Sequence, residues 1–334
     1  MNKSNYKFKT GLVVGKFYPP HRGHKHLIET ALSQCEKVTA LVCWKASETI
    51  SGIRRANWLK EIHPSIEVKL LDDSKLADDD SKGWASYTVK ILGFIPEGVF
   101  TSEDYGDHYA RFMGSVHVLV DKKRVTIPIS ATKVRGNPMF YAQYLEPNVR
   151  SYFARRIVIL GAESTGTTTL ARDLAKYYKT VWVPEFGRFY SEGRMHTELE
   201  SQWRSEEFTT IAKGQIALED KLAEASNGLV ICDTDAFATS IWHERYMATL
   251  SKEVEHLAHS QSYDLYIVTG DEIPWEDDGT RDGKGIRHWM HERFISKLKE
   301  HNKLFIIVSG DRQKRLEDAV KAIDQLGNSK YGQE

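Results

Sequence analysis

Two stretches of this 334-residue chain carry residue types at spacings that suit phosphate chemistry. The first is GKFYPPHRGH, Gly15 to His24, behind the apolar run Gly11–Val14. It sets His21 and His24 three residues apart at the start of a helix-patterned segment. Both imidazoles can then face an anion drawn to the helix N-terminus. Gly23 admits a close approach to the backbone. The spacing alone equally describes a capped helix with two surface histidines, and His26 has no acidic or cysteine partner at metal-ligand spacing. The second stretch is GAESTGTTT, Gly161 to Thr169. It follows the phosphate-loop pattern G-x-x-x-x-G-K-[ST] except that Thr167 stands in place of the lysine. Gly161, Gly166 and the amides between them, those of Ser164 and Thr165 included, can form an anion nest. Thr168 occupies the hydroxyl position that binds Mg²⁺ in such loops, and Thr169 follows it.

A cation on a transferring phosphoryl group is worth roughly 10³–10⁵ in rate, or about 4–7 kcal/mol. Either another cation replaces the lysine or the loop binds without transferring. WEDDGTRDGKGIR, Trp275 to Arg287, has the glycine-rich, charged composition of a lid and offers Arg281, Lys284 and Arg287. Carboxylates follow other strand-like runs: Glu185 in PEFGRFY, with Arg188, and Asp233 and Asp235 in DTD. Glu185 or Asp233 can act as a base, and Asp233 can alternatively hold Mg²⁺ or contact ribose. The plainer alternatives are a Glu185–Arg188 pair and helix caps at Asp233 or Asp235.

The elements that must hold these residues alternate. Strand patterns at Gly11–Val14, Val38–Cys43, Val68–Leu71, Gly98–Ser102 and VHVLVD are separated by helix patterns in HKHLIETALSQC, IRRANWLKEI and GWASYTVKILGFI. Segment 72–82 reads as a solvated loop, and residues 137–156 as a helical, aromatic-rich joint. The pattern then restarts: RRIVILG, VWVPE, GLVICDTD, YDLYIVTG and KLFIIVSG are strands, and TTTLARDLAKYY a helix. The expectation is two α/β domains, residues 1–150 and 151–334, each a parallel sheet with ligands at the strands' carboxyl ends.

Composition narrows the partners. Charged residues make up 28% and hydrophobic ones 41%, ordinary for a soluble globular protein, and the net charge is zero. Residues 1–150 hold 22 Lys/Arg against 16 Asp/Glu, a mild basic excess that suits a phosphate-bearing ligand. No basic run or nucleic-acid motif occurs, so no polynucleotide partner is expected. No apolar run reaches 18 residues and the N-terminus lacks a signal-peptide pattern, so no membrane partner is expected. Cys35, Cys43 and Cys232 lack metal spacing and fit a reducing, cytoplasmic setting.

The motifs together resemble a known family. GKFYPPHRGH resembles the HxGH signature of the nucleotidyltransferase superfamily, and ISATKVR, Ile129 to Arg135, resembles its second signature, ISxTxxR. With GWASYTVK, PEFGRFY and the WxDDGxR-like lid, nearly the whole chain resembles the NadR type of bifunctional protein. The resemblance implies a Rossmann-like HxGH nucleotidyltransferase domain followed by a P-loop kinase-like α/β domain. The first would join nicotinamide mononucleotide (NMN) to ATP, giving NAD and pyrophosphate; the second would phosphorylate nicotinamide riboside using ATP and Mg²⁺.

By resemblance His21, His24 and Lys16 hold the ATP phosphates, with Gly15, Phe17 and Gly23 beside the nucleotide. Ser130, Thr132 and Arg135 reach the β- and γ-phosphates. Trp84 is either a stacking surface for nicotinamide or a core tryptophan of its helix. In the second domain Arg281 and Arg287 close over ATP, Arg188, Asp235 and Trp275 contact the riboside, and Thr168 and Asp233 hold the metal. The regulatory helix-turn-helix domain of some members is expected to be absent, since only about ten residues precede the first strand; a homo-oligomer would follow the family. Thr167 keeps an alternative open, an adenylyltransferase joined to a non-catalytic nucleotide sensor. Another HxGH substrate, phosphopantetheine or FMN, fits the pairing of domains less well.

Overall fold

The computed structural model describes residues 6–74, 76–77, 80–195, 197, 202–275 and 284–326. Contacts divide the chain between Arg150 and Ser151 into two compact units. In the first, β1 (Phe8–Gly15), α1 (Arg22–Gln34), β2 (Cys35–Trp44), α2 (Gly52–Ile62), β3 (Glu67–Asp72), α3 (Ser81–Leu92), β4 (Gly98–Thr101), α4 (Tyr105–Met113), β5 (Val116–Leu119) and α5 (Ala131–Gly136) follow in order. The sheet runs β3-β2-β1-β4-β5, parallel throughout. Strand order reverses at β1, so β1 ends at the crevice where such sheets bind ligands. Residues pointing to its two faces build separate cores, one around Val13, Ile28 and Phe100, the other around Leu12, Leu41 and Tyr109.

Helix α6 (Pro147–Phe153) spans the division. The second unit then contains β6 (Arg155–Leu160), α7 (Thr167–Tyr178), β7 (Val181–Val183), α8 (Phe186–Arg194), α9 (Ser205–Ala223), β8 (Leu229–Asp233), α10 (Ala236–Met247), α11 (Lys252–Ser260), β9 (Leu265–Thr269), α12 (Arg287–Glu300), β10 (Phe305–Val308) and α13 (Arg312–Gln325). Its sheet runs β10-β9-β6-β8-β7, again all parallel, with β6 in the middle. Its strands are nearly continuous apolar runs because both faces are covered.

Several sequence expectations need correction. The joint at residues 137–156 is only partly helical: a single turn at Ala142–Tyr144, helix α6, and already strand from Arg155. The loop expected over 72–82 is shorter, since Asp72 pairs within β3 and Ser81 opens α3 behind an Asp80 cap. Helix α4 was not marked by the sequence pattern, although its apolar residues Tyr109, Ala110 and Met113 are buried at helical spacing. Cys35, Cys43 and Cys232 are buried and unpaired. No helix among the described residues is long and apolar enough to cross a membrane.

Candidate phosphate sites at the two glycine loops

The first loop leaves β1 at Gly15 and enters α1 at His21, which is the helix N-cap. The His24 amide donates to His21 Nδ1 at 3.4 Å, and the His21 amide donates to His24 Nδ1 at 3.3 Å. The rings stack with centroids 3.8 Å apart. A Cβ at residue 23 would lie 3.0 Å from the His21 ring, so glycine lets that ring sit over the helix start. Because each Nδ1 accepts, each neutral imidazole carries its proton on Nε2. Burial, then the charge of Arg124, pushes His21 down to about 4. Burial, then His21 and Arg124, holds His24 well below the ordinary range. At neutral pH the pair therefore offers uncharged N–H donors, and an arriving polyanion favours their protonation.

Phe17 was expected at the nucleotide, but its side chain is 1% exposed and packs on His24 with ring centroids 4.9 Å apart. The ring supports the histidine instead. Lys16 keeps a half-exposed ammonium 3.3 Å from Glu48. Arg135 ties the second motif to the first: it donates to the Tyr18 carbonyl at 2.6 Å and lies 4.6 Å from the Tyr18 ring centroid. It also reaches Thr132 Oγ1 at 3.4 Å. Ser130 caps α5 by accepting from the Lys133 amide at 3.3 Å, which leaves its own O–H to donate. Trp84 is half-buried against the core and donates its indole N–H to the Ala77 carbonyl at 2.9 Å, which favours the core-tryptophan alternative.

Arg55, of a residue type that usually stays at the surface, is fully buried. It donates to the carbonyls of Lys16 at 2.7 Å, Cys43 at 3.3 Å and Ser51 at 3.4 Å, and to Glu48 at 2.6 Å. Its guanidinium lies 5.0 Å from the Tyr18 ring centroid, so Arg55 and Arg135 both hold that ring. One side chain thus fixes the glycine loop's backbone and, through Glu48, the Lys16 ammonium. The only sequence signal was an arginine on the apolar side of α2, beside Ala56 and Leu59.

The second loop leaves β6 and enters α7 at Thr167. Ser164 and Gly166 have positive φ of 60° and 84°, the geometry that turns successive amides into one concavity. A Cβ at residue 161 would collide with Thr269 Oγ1 and Thr165 Oγ1, so only glycine fits there. Gly166 caps α7 without a side-chain bond. Thr165 was expected at ATP, but it is fully buried and its hydroxyl is shared with the Ala162 carbonyl and Thr269, each at 2.7 Å. It shapes the loop from behind.

Asp233, at the end of β8, is 2% exposed. Burial raises it to about 6, opposed by hydrogen bonds from Thr168 and Thr167 and the charges of Arg172 and Arg188. The residue in the lysine position is therefore a hydroxyl directed at Asp233, and Thr168 and Asp233 stand together. Asp235, expected at the riboside, is fully buried, caps α10 at the Ala238 amide at 2.8 Å and accepts from Tyr266 at 3.1 Å. The cap alternative holds.

Arg188 pairs with Glu192 at 3.3 Å, and Glu185 occupies the position before α8. Gln215 of α9, absent from the sequence expectations, accepts from the Phe186 amide at 2.9 Å and donates to the Thr234 carbonyl at 3.4 Å. It fixes the segments carrying Glu185 and Asp233 relative to each other. Beneath it, Glu219 accepts from Arg156 at 3.2 Å and Tyr263 at 2.9 Å, and burial beside Asp235 pushes it up to about 8.

Arg287 opens α12, donates to the carbonyls of Ser164 at 3.3 Å and Ile273 at 2.8 Å, and lies 5.8 Å from the Trp275 ring centroid. Arg281 and the Lys284 side chain lie outside the described residues. Apart from the loops, Glu255, His259 and His301 cluster at metal-ligand spacing, but the Lys297 ammonium already neutralises Glu255 at 2.5 Å.

A family profile described as an AAA domain matches residues 156–315. The "Trifunctional NAD biosynthesis/regulator protein NadR" of Salmonella typhimurium strain LT2 is 28% identical over 324 residues, covering 89% of this chain and 78% of its own. The protein of that name from Escherichia coli K12 is 28% identical over 322 residues with the same coverage. A crystal structure of NadR protein in complex with NR superposes with a TM-score of 0.77 at 22% identity, covering 99% of both chains. This chain is similar to NadR proteins along most of its length. A second NadR structure, with NAD and AMP-PNP, superposes with a TM-score of 0.76 at 22% identity, covering 97% of this chain and 96% of that one. The NadR-like fold thus extends through both units.

Two outcomes test the site chemistry. Arg55→Met removes the shortest ion pair of Glu48, leaves three buried carbonyls without this donor, and destabilises the first unit by about 3 kcal/mol in urea unfolding; a loss under 1 kcal/mol would mean the clamp is dispensable. Asp233 is raised from 3.8 to about 6, so folding binds its proton between those values and its contribution is lost as pH rises through about 6. Asp233→Asn therefore stabilises the second unit at pH 8 by up to about 3 kcal/mol and at pH 5 by only about half as much. Melting curves with the same difference at both pH values would contradict the assignment.

Proposed function

We propose that this NadR-like chain is a bifunctional enzyme of NAD synthesis and salvage, acting on NMN, nicotinamide riboside and ATP in the cytosol. Its first unit joins NMN to ATP as an HxGH nucleotidyltransferase, and its second phosphorylates the riboside. The observation that carries this reading is the pair of phosphate-shaped helix starts, each at the end of its sheet's β1 or β6 strand, in a chain similar along its length to NAD-biosynthesis proteins. Three buried, unpaired cysteines suit the cytosolic setting.

In the first unit an oxygen of the NMN phosphate attacks the α-phosphorus of ATP. The bond from that phosphorus to the bridging oxygen breaks, and pyrophosphate leaves. No side chain bonds to the substrate, so the protein contributes alignment and charge. The two Nε2–H groups, Lys16 and the Ser130 and Thr132 hydroxyls face the triphosphate, while Arg135 joins the two motifs and adds its charge. In the second unit the riboside 5′-hydroxyl attacks the γ-phosphorus of ATP, releasing ADP and giving NMN. Glu185 or Asp233 takes the hydroxyl proton. Thr168 and, where Glu185 is the base, Asp233 would hold Mg²⁺, which when bound screens the phosphate charges; their proximity and the nearby positive-φ loop fit that role. The product of the second unit is the substrate of the first.

Thr167 supports one competing reading, in which the second unit binds nucleotides without transferring phosphate. Purified protein with ATP and Mg²⁺, given nicotinamide riboside or NMN in parallel, separates the two by chromatography of the products. NAD from both substrates is the expected result. NAD from NMN alone leaves the second unit a binding module, and no NAD from either removes the main reading. His24→Ala is expected to cut NAD formation from NMN by at least about 100-fold.

A further inference from the structure

A phosphate loop lacking its lysine must find positive charge elsewhere if it is to transfer a phosphoryl group, and the cations around Thr167 are not equally placed to give it. Arg315 is buried and fully engaged: it donates to the carbonyls of Thr165 at 2.7 Å, Gly270 at 3.2 Å and Gly310 at 3.0 Å, and to Glu272 at 2.7 Å. It is a strut under the loop. Arg245 is held by Glu163 at 3.0 Å and by the rings of Trp242 and Tyr246. Arg172 lies over Trp182, 4.3 Å from the ring centroid, and Arg188 pairs with Glu192.

Arg287 is different. Its described hydrogen bonds go only to the main-chain carbonyls of Ser164 and Ile273, and its Nε is buried without a partner among the described residues. Ser164 belongs to the loop itself, so the guanidinium already rests on the edge of the anion nest. Neutral carbonyls are weaker acceptors than phosphate oxygens, and a guanidinium is built to bridge two of the latter.

We propose that Arg287 supplies the charge missing at Thr167, exchanging its carbonyl partners for the β- and γ-phosphate oxygens of bound ATP. This rests on the kinase reading above. As the riboside oxygen bonds to the γ-phosphorus and the bond to ADP breaks, charge grows on the leaving β-phosphate oxygen; the guanidinium stabilises it, while the hydroxyl proton goes to Glu185 or Asp233. Arg287 is thereby a catalytic residue delivered from a helix start 120 residues beyond the loop position it replaces.

The test is a rescue. Riboside-dependent ADP release is measured for wild type, Arg287→Ala, Arg287→Lys, Thr167→Lys and the double variant Arg287→Ala/Thr167→Lys, with thermal melting reporting the fold of each. Arg287→Ala is expected to lower kcat on the order of 10³-fold with little change in KM for the riboside. Arg287→Lys recovers part of this loss. The double variant regains at least about tenfold over Arg287→Ala, because lysine returns to its ordinary place. Wild-type turnover in a folded Arg287→Ala variant would overturn the proposal while leaving the kinase reading intact, as would a double variant no better than Arg287→Ala. A wild type without phosphoryl transfer, with activity gained in Thr167→Lys, would overturn both.

Discussion

The unpaired amides at the start of a helix are the constraint on which both sites rest. A helix leaves its first N–H groups without internal partners, and a parallel α/β sheet brings such an end to the mouth of a strand. The two units treat this end differently. In α1 a histidine ring occupies the cap, so the donors offered outward include two imidazole N–H groups as well as main-chain amides. In α7 the cap is Gly166, which spends no side chain on the helix and leaves the amides for a ligand. One end is furnished with rings, the other is left bare.

Burial tunes the titrating groups beside these ends in opposite senses for one electrostatic reason. Low-polarity surroundings disfavour charge, which keeps His21 and His24 neutral and raises Asp233 toward neutrality. Neutral imidazoles do not repel one another at stacking distance, which permits their 3.8 Å separation. A carboxylate held close to its protonation point is ready to exchange a proton or gain a cation. In both, a nearby charge of opposite sign to the ionised form would lower the cost of ionisation.

The local signals in the sequence were strong where they lay within one element. Helix α7 spans Thr167–Tyr178, the run that its pattern marked, and the glycine loops precede helices where the motif order required. Contacts between distant positions were not legible. Nothing adjacent to Arg55 indicates that the Lys16 and Cys43 carbonyls, 39 and 12 residues away, will accept its hydrogen bonds. Thr165 and Asp235 have residue types that serve ligands and caps equally well, and only the positions of Thr269 and Tyr266 decide between these. Gln215 has no motif, because its work is to bridge two main-chain segments. Composition identifies the groups able to do chemistry; tertiary contacts decide which of them are consumed in holding the rest.

Because each sheet draws all its strands from one uninterrupted half of the chain, the order of synthesis matches the order of assembly. Parallel strands must wait for their crossover helices before they pair, which makes each unit slow to form from a full-length unfolded chain. On the ribosome, however, β1 to β5 are complete before β6 has been made, and the first sheet has no need of the second for any strand. Substitutions in the later half therefore leave the earlier half free to keep its own shape.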